Sequence, residues 1–432
     1  ILYRVELYFK GCVDMQKLLI EGGNKLFGEI NVQGSKNSSL PILASTLLCD
    51  GTTTLLNCPK LSDVYSSCRI LNSIGSICNF TDNTLTVDSC IDFPNCIVPT
   101  NLMREMRSSI LYMGALLGKY GRCTISLPGG CQLGSRPIDI HLYGLQKLGA
   151  DIKEEYGTIF CNAKDGLKGT KITLPFASVG ATENLILASV LAKGETIIKN
   201  SAREPEISDL CDYLRSCGAD IHGDGQSDIY INGVDSLHGC THSIIPDRVV
   251  AVTYMCCVAI TGGELVLNNV CTNHLDILLS MFDELGCDIH TYEDKIYITS
   301  KGRVHSLKNI KTMPYPAFPT DMQSPLMSVM TVGDKTSTFE ETIFDSRYRH
   351  ADELIRMGAD IEVMGKIAIV RGVPKLYGTS VSATDLRGGA SLVIAGLKAD
   401  GLTEVSNLHY IDRGYQEIEK VLSSVGANIK RV

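Results

Sequence analysis

The residue most able to do chemistry is Cys131, in the segment SLPGGCQLGSRP, with Gly129, Gly130 and Gly134 around it and Arg136 five residues on. Glycine-rich irregular sequence reads as a surface loop, and a nearby guanidinium favours the thiolate, so this thiol reads as reactive, not as core packing. Lys36 and Asn37 open the apolar run SKNSSLP. A lysine there opposes the positive end of a helix and points to a bound anion, against the plainer reading of a solvated Lys beside an N-capping Asn. Arg107, Arg136 and Arg413 each stand beside a helix start or a Gly/Pro turn, and their planar forks suit carboxylate and phosphate. Asp321 lies in TDMQ (320–323). That pattern is a capping box, and on pattern alone the capping role is favoured. Asp385 and Arg387 repeat the theme in ATDLR.

The whole chain limits what these groups can act on. Its 432 residues suit two domains, and 44% hydrophobic with 20% charged residues is a soluble globular profile. A formal net charge of −8 disfavours a nucleic-acid partner and requires that any anion be held by a local cation cluster. The 17 cysteines form no C-x-x-C pair. This argues against a disulfide framework or zinc site and for small buried residues in a reducing, cytoplasmic compartment. No H-E-x-x-H motif or Walker loop occurs, so neither a metal nor a cofactor is expected. The most apolar run, around Val249–Ile260, is short and contains Thr253 and Tyr254, so no membrane span is expected. Residues 1–14, broken by Arg4, Glu6 and Lys10, read as an extension ahead of Met15 and not as a signal peptide.

The elements that must position these groups are repeated. A phrase made of a helix end, a Gly and a strand start occurs six times, as LNSIGSI, LQKLGADI, LRSCGADI, FDELGCDI, LIRMGADI and LSSVGANI. Its glycines are Gly75, Gly149, Gly218, Gly286, Gly358 and Gly426, separated by 74, 69, 68, 72 and 68 residues. Leucines at helical spacing supply an apolar stripe and the glycine stops the helix. A second phrase turns into a strand at DGTTTLLN (50–57), KGETIIKN (193–200), GGELVLNN (262–269) and DGLTEVSN (400–407), with the Gly121 and Gly333 regions filling two further places. Before each of these strands an apolar helix is predicted, starting at SKNSSLP, MRSSILY, SVGATEN, PDRVVAV, PTDMQSP and ATDLRGG. Helices apolar most of the way round belong inside a lobe. Three units per lobe, with a hinge near 233–245, would bring six helix starts to facing surfaces, a setting that favours anions.

Eight segments at these helix starts and loops carry a resemblance. They are GSKNSSLPILASTLL (34–48), SLPGGCQLGSRPIDIH (126–141), SVGATEN (178–184), AREPEI (202–207), FPTDMQ (318–323), ETIFDSR (341–347), ATDLRGGASL (383–392) and IDRGY (411–415). In order and spacing, from about Leu18 to the C-terminus, the chain resembles the UDP-N-acetylglucosamine 1-carboxyvinyltransferases, enolpyruvyl transferases of the first committed step of peptidoglycan synthesis. The resemblance implies a two-domain inside-out α/β barrel of six βαβαββ-like units, three per lobe. One lobe would comprise 15–35 plus 245–432, the other 36–244 with the Cys131 loop.

The resemblance also implies roles. Phosphoenolpyruvate would meet Lys36, Asn37, Arg136 and Arg413. Cys131 would protonate its methylene carbon, form a covalent adduct with it and be the target of fosfomycin. Arg107, the run Arg136, Pro137, Ile138, Asp139 and Ile140, the helix start Ser178, Val179 and Gly180, and the backbone of Ile343 would face UDP-N-acetylglucosamine. Asp321 would take the proton of the sugar 3-hydroxyl, with Arg347, Asp385 and Arg387 in the closed cleft. The partners would be these small molecules, with no nucleic acid or membrane, and the chain would act as a monomer. Rival readings are the shikimate 3-phosphate transferase, which is not expected to use a loop Cys, and a non-catalytic sugar-nucleotide-binding homologue. An RNA 3′-phosphate cyclase shares a related repeat but would favour basic patches. The chain departs from the family pattern at Ser35, Ser38 and Ser39, at Val249–Val252 and at Gln416.

Overall fold

The computed structural model describes residues 16–91, 94–129 and 137–432. The expected extension 1–14, Cys131 and Arg136 lie outside the described residues.

Six helices occupy the places predicted for the apolar repeats: α1 (Lys36–Ser45), α2 (Leu111–Tyr120), α3 (Val179–Ser189), α4 (Arg248–Thr261), α5 (Gln323–Met330) and α6 (Leu386–Lys398). Ser38 to Ser45 of α1 and every residue of α4 are buried, because sheets and outer helices cover these helices on all sides. Side chains cap four of these starts, and at α1 the cap is Ser35 and not the Asn37 of the plainer reading. The Ser35 hydroxyl accepts from Ser38 N at 3.3 Å, Ser178 from Ala181 N at 3.4 Å, and Asp247 from Val249 N and Val250 N at 2.9 and 3.1 Å. α2 and α5 are instead entered through 3-10 turns, Arg107–Ile110 and Thr320–Met322. The buried helices approach closely. A Cβ on Gly114 would stand 2.2 Å from the Asn184 side-chain oxygen, which accepts from Gly114 N at 2.7 Å.

Outer helices such as Ser62–Ile74 and Pro205–Ser216 end at the repeated glycines. All six glycines have φ between 86° and 126°, a conformation that glycine adopts without a Cβ penalty. The strands of the described residues form six larger sheets and one two-stranded pair, Cys49–Asp50 with Leu237–His238. Five have four strands, in which one edge pair is parallel and the rest antiparallel. In the sixth, Arg122–Ser126 pairs with Thr158–Asn162, and a parallel bridge from Ile97 to Thr124 holds the edge place. The N-terminal segment completes two sheets of the C-terminal half. Leu18–Glu21 lies between Leu402–Ser406 and Asn428–Arg431, and Leu26–Asn31 runs parallel to Gly263–Asn268.

The second phrase ends in an asparagine with φ of 54–60° at Asn57, Asn200, Asn269 and Asn407. Each side-chain amide donates to the segment entering a buried helix, at Ile244 O, Leu174 O, Val32 O and Ala383 O, at 2.9, 2.9, 2.6 and 3.4 Å. Asparagine tolerates the left-handed conformation and offers a donor there.

The buried apolar side chains form two separate clusters. One runs from Leu40 to Ile244, the other joins Leu18–Val32 to residues from Val249 to Ile429. The lobes therefore meet through polar contacts. The expected hinge at 233–245 needs correction. Leu237–His238 and Thr241–Ser243 pair parallel with Cys49–Asp50 and Thr52–Leu56, which ties that stretch into the first lobe. The chain crosses instead at two adjoining segments, where Ser35 N donates to Ile245 O at 2.7 Å and Asp247 N to Gln33 O at 2.9 Å. No helix of the described residues is long and apolar enough to cross a membrane.

Candidate active site

The starts of all six buried helices line one inter-lobe cavity of about 530 Å³. α1 brings Lys36 and Asn37, the turn before α2 brings Arg107, and α3 brings Ser178, Val179 and Gly180. From the facing lobe come Arg248, Asp321, and Asp385 with Arg387. Pro137, Asp139, Ile140, Ile343, Arg347 and Arg413 also line the cavity. Ile138 does not; it is 7% exposed and packs in the core of the first lobe.

Lys36 and Arg413 converge on a carboxylate. Asp63 accepts from Arg413 Nε and Nη2 at 2.9 and 3.2 Å, and Lys36 Nζ stands 3.0 Å from it. Burial alone would raise the Asp63 pKa, yet the charges of Lys36 and Arg413 outweigh it and hold the carboxyl below the usual range. Lys36 N donates to Asp247 Oδ2 at 3.1 Å, so the start of α1 is fastened to the cap of α4 in the other lobe.

Asp321 forms a second cluster. Arg347 Nη2 donates to one of its oxygens at 3.2 Å, and Arg387 Nε and Nη2 to the other at 3.4 and 3.3 Å. Burial pushes this carboxyl up, but Arg387, Arg347 and Lys36 hold it far below the ordinary carboxylate range. The capping box does not form. Thr320 Oγ1 donates to Glu341 Oε2 at 2.9 Å, and the Gln323 amide nitrogen is buried without a partner. Glu341 takes the Thr320 hydroxyl that a box would use, while the two arginines take the Asp321 carboxylate. Asp385 does cap its helix, accepting from Arg387 N and Gly388 N at 3.1 and 3.0 Å. Arg347 and Arg387 are each 2% exposed, and among the described residues Arg347 Nε and Arg387 Nη1 have no acceptor. Glu341 Oε1 accepts from Ile343 N at 2.8 Å and Phe344 N at 3.1 Å, which fixes the turn carrying Ile343.

A third wall is acidic. Glu206 takes a bidentate bond from Arg248 across the lobes, at 3.0 and 3.2 Å. Glu204 and Glu183 line the cavity beside it. Burial first, then the charges of Glu206 and Glu204, push the Glu183 carboxyl well above its ordinary range. Burial likewise raises Glu204.

Sequence reasoning missed Asp63, Glu183, Glu204, Glu206, Arg248 and Glu341. Asp63 looks like any acid in a helix first turn. The others lie inside the quoted segments SVGATEN, AREPEI, PDRVVAV and ETIFDSR, but their burial has no local signal. The departures from the family pattern have structural uses. Ser38 donates to Asp209 and Ser39 to Ser35 O, while the Gln416 side chain accepts from Lys60 N across the lobes.

Comparison with known proteins agrees with this architecture. The chain matches the family EPSP synthase (3-phosphoshikimate 1-carboxyvinyltransferase) over residues 20–422. It is 50% identical over 418 residues to the UDP-N-acetylglucosamine 1-carboxyvinyltransferase 2 of Caldanaerobacter subterraneus subsp. tengcongensis, covering 97% of this chain and 100% of that protein. It is 45% identical over 419 residues to the UDP-N-acetylglucosamine 1-carboxyvinyltransferase of Trichlorobacter lovleyi, covering 97% and 99%. In fold it is similar to the enolpyruvyl transferase NikO from Streptomyces tendae, with a TM-score of 0.88, 23% identity and coverage of 96% and 99%. The EPSP synthase from Acinetobacter baumannii superposes with a TM-score of 0.73 at 20% identity, covering 97% of this chain and 100% of that one.

Proposed function

The chain belongs to the EPSP synthase family of enolpyruvyl transferases, alongside relatives named UDP-N-acetylglucosamine 1-carboxyvinyltransferase, and on that premise we propose that it transfers the enolpyruvyl group of phosphoenolpyruvate to the 3-hydroxyl of UDP-N-acetylglucosamine, releasing phosphate. This is the first committed step of peptidoglycan synthesis, carried out in the cytoplasm by a monomer. The lobe limits we assign are 36–244 and 15–35 plus 245–432.

The observation that carries this reading is the set of buried guanidinium groups around the cavity. Among the described residues Arg347 and Arg387 each hold an N–H without an acceptor, and Lys36 and Arg413 share one carboxylate. Phosphoenolpyruvate offers a carboxylate and a phosphate to such forks. Its anions compete with Asp321 for the same arginines, and each guanidinium drawn away raises the proton affinity of Asp321. Asp321 then takes the proton of the sugar 3-hydroxyl, whose oxygen bonds to C2 of phosphoenolpyruvate as Cys131 delivers a proton to C3. The C2–O bond to phosphate then breaks and a C3 proton leaves, giving the enol ether. Arg136 and Arg413 hold the donor. Arg107, residues 137–140, Ile343 and the start of α3 hold the nucleotide sugar, the helix end favouring its diphosphate.

The test is phosphate release from phosphoenolpyruvate with UDP-N-acetylglucosamine or with shikimate 3-phosphate as acceptor. Turnover with the sugar nucleotide is expected. Turnover confined to shikimate 3-phosphate overturns the assignment.

A further inference from the structure

The acidic wall presents an unusual expenditure of stability. Glu183 is 6% exposed and lines the cavity, and it has no hydrogen-bond partner among the described residues. Beside it, Glu204 Oε2 is buried and also unpartnered. Burying a polar group without a partner costs stability, so an orphan of this kind calls for a reason. The third acid, Glu206, is occupied by both nitrogens that Arg248 presents. That leaves two carboxyl groups, and among the described residues no three-donor group able to hold a metal ion.

Position says what these two groups could meet. Glu183 follows Val179 and Gly180 by four and three residues on α3, so all three share one helical face, and all three line the cavity. One helical turn, about 5.4 Å, separates the N–H groups at the helix start from the Glu183 level. A ligand that seats a diphosphate on the helix start therefore runs its next group along the same face to Glu183. In the acceptor assigned above, that group is an uncharged hexosamine bearing hydroxyls and an acetamide.

We infer that Glu183, with Glu204 beside it, is a specificity-determining residue that hydrogen-bonds the hydroxyl and amide groups of the acceptor's hexosamine ring. This rests on the sugar-nucleotide reading of the site. The upward shift of both carboxyls agrees with it, because a protonated carboxyl both donates and accepts and does not repel an anionic ligand.

The test is calorimetric binding of UDP-N-acetylglucosamine and of UDP to the wild type, Glu183→Leu and Glu183→Gln, with thermal unfolding of each ligand-free protein. Glu183→Leu keeps the volume and removes the orphan. It is expected to raise the unfolding temperature while weakening UDP-N-acetylglucosamine about tenfold, the worth of one or two hydrogen bonds, with UDP unchanged within about twofold. Glu183→Gln retains a donor and an acceptor and should bind within about threefold of wild type. A Leu variant that unfolds earlier, keeps full affinity for the sugar nucleotide, or loses UDP equally overturns the inference, as does a Gln variant no better than Leu. A wild type that fails to bind UDP-N-acetylglucosamine instead sinks the assigned acceptor.

Discussion

Arg413 of one lobe clasps both oxygens of Asp63 in the other, at 2.9 and 3.2 Å, and Lys36 closes on the same carboxylate at 3.0 Å. Two cations assigned to the donor are thus ordered across the cleft by one buried acid. Asp63→Asn removes the carboxylate that both cations share. Its cost should be about 3 kcal/mol, the usual penalty for removing one member of a buried pair. Denaturant unfolding measures it, and a loss below about 1 kcal/mol would show that solvent screens the trio.

Arg347 and Arg387 both donate to Asp321, which favours its ionised form. Asp321→Asn cannot accept the hydroxyl proton. A fall in kcat of about 10²–10⁴-fold is expected, with calorimetric affinity for UDP-N-acetylglucosamine changed by only a few-fold. Retention of more than a tenth of the turnover would exclude the base role.

For Cys131, saturating fosfomycin should add one covalent adduct to the intact protein, located by peptide mass mapping. Cys131→Ser should show no adduct and should turn over poorly while still binding the sugar nucleotide. An adduct that persists in the Ser variant would place the reactive thiol elsewhere among the 17 cysteines.

Gly34 sits at the crossing between lobes, where a Cβ would stand 1.8 Å from the Asn57 carbonyl oxygen. Asn57 is itself fastened to Ile244 at the second crossing. Gly34→Ala must displace one strand of the crossing, at about 1–3 kcal/mol. Comparing unfolding midpoints of the two proteins checks this, and an unchanged midpoint would mean that the crossing yields freely.

His350 is fully buried beside Asp385, and its Nε2 has no partner. Burial is the main force that pushes its pKa down to about 4. The folded value lies below the unfolded value of about 6.5, so its neutral form stabilises the fold above that pH, and the contribution is lost as pH falls towards 4. Between pH 7 and 5 the wild type should lose more unfolding free energy than His350→Phe, which does not titrate there. Equal losses in denaturant titrations at the two pH values would refute the shift.

The repeat was readable because its signals are local. A glycine that ends a helix, an asparagine that turns left-handed and a Ser or Asp that caps a start each act within a few residues, so Gly75 through Gly426 marked the units. The Asp321 pattern misled for the complementary reason. Thr320 and Gln323 have the spacing of a cap, but Glu341, 21 residues on, takes the Thr320 hydroxyl, while Arg347 and Arg387, 26 and 66 residues on, take the Asp321 carboxylate. The hinge was misplaced because Thr241–Ser243 pairs with a strand nearly 190 residues earlier, a choice that periodicity cannot reveal.

Short-range chemistry thus settled six units, their buried helices and the cationic character of the helix starts. Which charges share a partner was settled only by the meeting of two lobes. Lys36, Asp63 and Arg413 span 377 residues of chain yet lie within 3.2 Å of one another's charged atoms through Asp63. Glu183 reads as one more helical acid until burial removes its water. Desolvation and long-range pairing depend on what the rest of the chain packs nearby, and so belong to the tertiary structure.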